Sequence, residues 1–187
     1  MGRVQLSDAF QSERTGNWKQ AAEQYAILYT EMPTKQTAMH YGFFCWYLLW
    51  QWDEICFPGE EAISPYERPN ADTRNGISQS ELLSQLNLTT KQLLSSGDVP
   101  VTYQVVLAHM EKIYPYFFQN TVFSESDREH LVEVIGKTSF AEPGARAIYQ
   151  YVQTQDVSQI SKEDRDAARE LFPHNSLMGS YFTWLFS

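Results

Sequence analysis

Two cysteines in 187 residues, Cys45 and Cys56, are too few for a disulfide framework. Their spacing is not that of a zinc site either, so no metal or other cofactor is implied. A reducing, cytoplasmic setting follows. Basic residues are scarce: 14 Lys and Arg stand against 23 Asp and Glu, a net charge of -9. That excludes nucleic acid or an anionic membrane as the main partner, because phosphate binding needs a basic patch. A basic protein partner remains compatible. Residues 36 to 52 carry no charge at all. The run is slightly short of the ~20 residues a membrane span needs, and it contains Gln36, His40 and Gln51. It reads as the central helix of a water-soluble core. The start MGRVQLSD lacks the apolar stretch of a secretory signal, and Leu6 holds the position where myristoylation needs Ser or Thr. Phosphate-binding loops, a dinucleotide glycine pattern, a G-x-S-x-G elbow and an HExxH helix are all missing. So is any run alternating apolar and polar residues, which leaves no strand to predict.

What is present is helix periodicity. With an apolar content of 43% and an aromatic content of 14%, the chain has enough to bury a core. At ~100–200 residues per domain it is expected to be a single domain, 1–187. Residues 4–14 form a first helix with Val4, Leu6, Ala9 and Phe10 inward. Gly16-Asn17 is a turn. From Trp18 the apolar and small residues recur at helical spacing through Ala21, Ala22, Tyr25, Leu28 and Tyr29 to Met32, and Pro33 stops the run. Thr34 caps a third helix from Lys35 into the fifties, apolar nearly all round and so needing cover on every side. Residues 58–77, with three Pro and two Gly, form a loop or linker.

Beyond it, 78–187 holds further helical hairpins. Ser78-x-x-Glu81 is a capping box. The stretch 78–96 is either one helix or two meeting at Asn87. A helix follows from Val99 to about Phe118, bent or ended by Pro115. Another runs from Ser126-x-x-Glu129 to Gly136. Pro143 opens the next, with Ala145, Ile148, Tyr149 and Val152 inward. Ser161-x-x-Asp164 caps one with Ala167, Ala168 and Leu171 inward. The last, 175–186, leaves Trp184 and Phe186 on other faces. The expected fold is all-α: antiparallel hairpins in an irregular solenoid or bundle of about eight or nine helices.

The order Gly16, Asn17, Trp18, Ala21, Tyr25, Pro33, followed by Tyr41-Gly42, resembles a tetratricopeptide repeat. The match covers residues 3 to about 50, and 1–57 would then be tetratricopeptide-like hairpins. Asp8 sits where that family has a large apolar residue, and Tyr41-Gly42 come one residue early. In the family, small residues let helices approach and a concave groove holds peptides. Carried over, the resemblance implies partner-binding positions at Arg3, Phe10, Glu13 and Arg14, and at Gln36, Met39, Phe43, Trp46 and Tyr47. The other reading of Phe43, Trp46 and Tyr47 is burial beneath later helices.

Chemistry-bearing residues are few. His109-Met110-Glu111 lacks the P-C-x-x-C of a zinc deaminase and reads as a helix-surface pair. His130 and Glu133 lie one turn apart without a second half-site. His40 is either a groove imidazole or a buried, satisfied histidine. Glu60-Glu61 is a short acidic pair, and Glu163-Asp164-Asp166 suits a helix start. Residues 78–97 have the outline of a helix-turn-helix, but with Lys91 as the only cation they are poorly supplied for DNA. The function expected is a non-catalytic protein or peptide interaction module using a helical groove. The alternative is a small acidic inhibitor or immunity-type protein blocking a basic site.

Overall fold

The computed structural model describes residues 3–52, 73–74, 76–118 and 141–187. Among them the chain is all-α, with eight α-helices, two turns of 3-10 helix and one two-residue β-ladder. No described helix is long and apolar enough to cross a membrane. The chain forms two compact units, Met1–Thr89 and Thr90–Ser187. Cys56, Glu60-Glu61, most of the 58–77 loop and the helix expected over 126–136, with His130 and Glu133, lie outside the described residues.

In the first unit, α1 (Leu6–Arg14) starts where the Asp8 carboxylate accepts the Gln5 N–H at 2.8 Å. Asp8 therefore caps the helix instead of filling the apolar position a tetratricopeptide hairpin would give it. The inward face is Ala9, Phe10, Ser12 and Glu13, more polar than expected, with Val4 and Leu6 only half-buried. The helix ends in a Schellman turn: Gly16 N donates to Glu13 O at 3.0 Å and Asn17 N to Ser12 O at 2.9 Å. Gly16 sits at φ +70°, a conformation that glycine adopts without a Cβ penalty. Helix α2 (Trp18–Glu31) is capped by Asn17. Helix α3 (Lys35–Trp50) is capped by Thr34, whose hydroxyl accepts the Thr37 N–H at 3.1 Å. Both begin where the sequence places them.

Ala21, Tyr25 and Leu28 of α2 are buried, and α3 is buried on nearly every side. The rings meet in one cluster. Tyr25 stacks on Tyr41 with centroids 5.4 Å apart and lies 5.1 Å from Phe44. A short antiparallel ladder pairs β1 (Thr73–Arg74) with β2 (Ile77–Ser78). Helix α4 (Gln79–Ser95) then runs unbroken, so the alternative of two helices meeting at Asn87 is set aside. Asn87 is buried, and with no turn there a helix-turn-helix has nothing to pivot on. Gly42 lets α3 meet Thr89 of α4, since a Cβ on it would stand 2.8 Å from the Thr89 hydroxyl. The boundary between the units falls inside α4.

In the second unit, α5 (Val101–Ile113) gives way to a 3-10 turn, Pro115–Phe117, so Pro115 ends the helix. Pro143 opens α6 (Pro143–Thr154). Ser161 caps α7 (Lys162–Arg169), accepting the Asp164 N–H at 3.1 Å. Ser176 caps α8 (Leu177–Leu185) in the same way, through the Gly179 N–H at 3.0 Å. Gly144 lets α6 lie close on α7: its Cβ would be 3.0 Å from Ala167 O. The Arg146 guanidinium grips the buried Asp164 carboxylate through Nε at 2.9 Å and through Nη2. Phe172, Phe182 and Phe186 are buried, whereas Trp184 is 66% exposed. Phe186 is thus core, stacked on Phe182 at 6.3 Å, and not a free face as the sequence suggests.

Candidate functional site

The residues assigned to a groove occupy contrasting places. Met39, Phe43 and Trp46 are covered, with Phe43 and Trp46 ring to ring at 5.3 Å. Phe10 is buried against His40 with centroids 4.9 Å apart. Glu13 turns inward, and its carboxylate accepts the Tyr25 hydroxyl at 2.7 Å. Burial and the nearby Glu13 charge push the Tyr25 phenol well above its usual range, so Tyr25 remains the donor. Arg14 is exposed and bonds Gln11 at 2.6 Å. Tyr47 is half-buried, and Arg3 and Gln36 are exposed.

Both described core histidines are uncharged at neutral pH. Burial lowers His40 to about 4 and His109 to about 3. His40 is thus a buried imidazole packed on a phenyl ring. His109 corrects the expectation of a surface pair with Glu111. It is fully covered by Tyr151, Tyr181 and Phe182, and its Nε2 lies 2.7 Å from the Tyr181 hydroxyl. The aromatic wall shuts out water, and the phenol supplies a polar contact for Nε2 alone, Nδ1 being buried without a hydrogen bond among the described residues. Among Glu163, Asp164 and Asp166, the second is taken by Arg146, whose hydrogen bonds hold Asp164 below the usual carboxylate range. No group of metal-ligating side chains occurs among the described residues.

A different feature stands out in the first unit, a hollow of about 220 Å³. Two helix stripes of equal spacing make its walls: Lys19, Ala22, Glu23 and Ala26 on α2, and Ser78, Glu81, Leu82 and Gln85 running from β2 onto α4. Both follow the i, i+3, i+4, i+7 pattern of one helix face. The small side chains of Ala22 and Ala26 leave the space. Tyr41 reaches in from α3, and Gly76 and Ile77 line the remaining side. Gly76, at φ +71°, lies under the Lys19 stem; a Cβ there would meet Lys19 Cδ at 2.9 Å.

The polar groups are unevenly served. Lys19 Nζ and Glu23 pair with each other at 4.0 Å. Glu81 is exposed and makes no ion pair among the described residues. Tyr41 is 3% exposed, and its hydroxyl has no hydrogen-bond partner among the described residues. Burial, then the charges of Cys45, Glu81 and Tyr29, raises the Tyr41 phenol far above its ordinary value, so it stays neutral. Near the ends of the walls are two exposed apolar side chains, Ile27 next to Ala26 on α2 (42%) and Leu88 one turn past Gln85 on α4 (51%).

Sequence reasoning missed this site. Ser78 and Glu81 were visible only as a capping box, and the Ser78 hydroxyl does accept the Glu81 N–H at 3.2 Å. The usable signal was Ala22 and Ala26 on the same helix face as Lys19 and Glu23, small residues beside charge. Compared with known family models, curated proteins and solved structures, the chain finds no match.

Proposed function

We propose that this chain is a non-catalytic protein-interaction module of tetratricopeptide-like build, working in the cytoplasm, and that the hollow in its first unit seats one side chain of a protein or peptide partner. The observation that carries this reading is the hollow itself. It is smaller than the ~300–1,000 Å³ of sites for drug-sized ligands, and therefore suits a single anchor residue. The exposed Ile27 and Leu88 beside it favour a macromolecular partner, because they offer apolar surface outside the hollow for the rest of a peptide to cover. Ala21 and Gly42 at helix approaches, with Trp18 and Tyr25 in the ring cluster, support the tetratricopeptide-like build. Of the groove positions, Arg3, Arg14, Gln36 and Tyr47 have surface to add. The buried free thiol of Cys45, pushed up by desolvation, suits a reducing compartment.

The net charge of -9 favours one second reading, an acidic inhibitor or immunity-type protein that covers a basic site. Binding would then be steered by charge and would weaken steeply with salt.

Selection from a random peptide library on the immobilised full chain tests the proposal. Wild type is expected to retain peptides, and Ala26→Leu, which fills the hollow, to lose about tenfold in affinity for them. Retention of no peptide, or equal retention by both proteins, would sink the proposal.

A further inference from the structure

We infer that the hollow is a seat for a basic side chain, the arginine or lysine of a partner protein, with its cationic head between Glu81 and the Tyr41 hydroxyl. This rests on the reading of the first unit as a partner-binding module and names the chemistry of the anchor. Tyr41 supplies the first reason. Its ring is packed on Tyr25 at 5.4 Å and only 3% of the residue is exposed, yet it lines the hollow and its hydroxyl has no hydrogen-bond partner among the described residues. The hydroxyl is not one of the sealed, unpaired polar atoms of the core, so it stays within reach of whatever enters the hollow. A phenol can accept from an N–H donor.

Charge gives the sign of that ligand. The rim carries Glu23 and Glu81 against Lys19. Lys19 pairs with Glu23 at 4.0 Å and Glu81 makes no ion pair among the described residues, so the rim carries one net negative charge. An anionic ligand would meet net repulsion; a cation would complete the pair. Shape gives the rest. Ala22, Ala26 and Leu82 make an apolar wall for an alkyl stem. Lysine and arginine are the side chains that bury a stem while keeping a charged head at a polar rim.

The test is amide NMR of the full chain titrated with n-butylguanidinium and n-butylammonium, with neutral n-butylurea and anionic butanoate as controls. Saturable shifts at Ala22, Ala26, Ile77 and Ser78 are expected with the cations alone. Glu81→Gln and Tyr41→Phe should each weaken them about tenfold without altering the helix spectrum, since one side chain is exposed and the other keeps its ring. Two results overturn the inference: no saturable shift with either cation, or equal shifts with butylurea. If peptides bind wild type and not Ala26→Leu while neither cation binds, the anchor chemistry is wrong and the interaction module stands. If the cations bind and no peptide does, the module reading falls, and the partner side chain with it.

Discussion

Removing the Tyr25 hydroxyl should cost the first unit far more than removing the one on Tyr41, although the two rings are stacked 5.4 Å apart and interplanar to within 8°. The Tyr25 hydroxyl donates to the buried Glu13 carboxylate at 2.7 Å. Tyr25→Phe keeps the ring and its packing but takes that donor from a buried acid. A hydrogen bond to a charged group contributes about 1.5–3 kcal/mol, and the group left behind keeps its desolvation cost. Tyr41→Phe deletes a hydroxyl with no partner among the described residues, and should fall within about 0.5 kcal/mol of wild type. The two units need not unfold together, so the assay is residue-resolved hydrogen exchange across a urea series, read on the amides of α1 and α2. Glu13→Gln, alone and combined with Tyr25→Phe, completes a double-mutant cycle, and a coupling of about 0.5–3 kcal/mol is expected for this contact. Equal losses for the two Tyr→Phe variants would refute the reasoning, because they would mean that the Glu13 contact adds nothing the ring does not.

Gly179→Ala should destabilise α8 and its packing by about 1–3 kcal/mol or more, since the new Cβ would stand 2.1 Å from the backbone oxygen of Pro173; hydrogen exchange in the second unit reads it. Asp164→Asn should weaken that unit at pH 7 by removing the Arg146 ion pair. Because Asp164 is held below its unfolded value near about 3.9, its contribution is present above that pH and lost as pH falls through the folded value, so mutant and wild type should converge in acid. His40 and His109 both have folded values below about 6.5, so the unfolded chain binds more protons in acid and stability drops as pH falls. The slope should be about 1.4 kcal/mol per pH unit for each histidine, ending near 4 for His40 and near 3 for His109. Acid urea titrations should show His109→Phe flattening the slope for the second unit.

Much of the framework was legible because local signals and burial agree there. Gly16-Asn17, Pro33 and Thr34 punctuate the chain where α1, α2 and α3 end and begin. Ser161 and Pro143 do the same further on. Asn87 misled as a break because its polarity was visible and its burial was not. The resemblance assigns Glu13 to a partner-binding groove, and its partner is Tyr25, twelve residues away in the same unit. His109 looked solvated because its contact, Tyr181, lies 72 residues on. The hollow was the least legible feature, since α2, α3, β2 and α4 each contribute to it and its essential property is space left by two alanines. Periodicity finds what a face buries and passes over what it leaves open.

The anchor chemistry is tested most directly by calorimetric titration of the strongest library-selected peptide against versions with each arginine replaced by citrulline and each lysine by norleucine. One replacement is expected to weaken binding at least about tenfold, with that loss absent in Glu81→Gln. Unchanged affinity in every neutral version would contradict a basic side chain in the hollow.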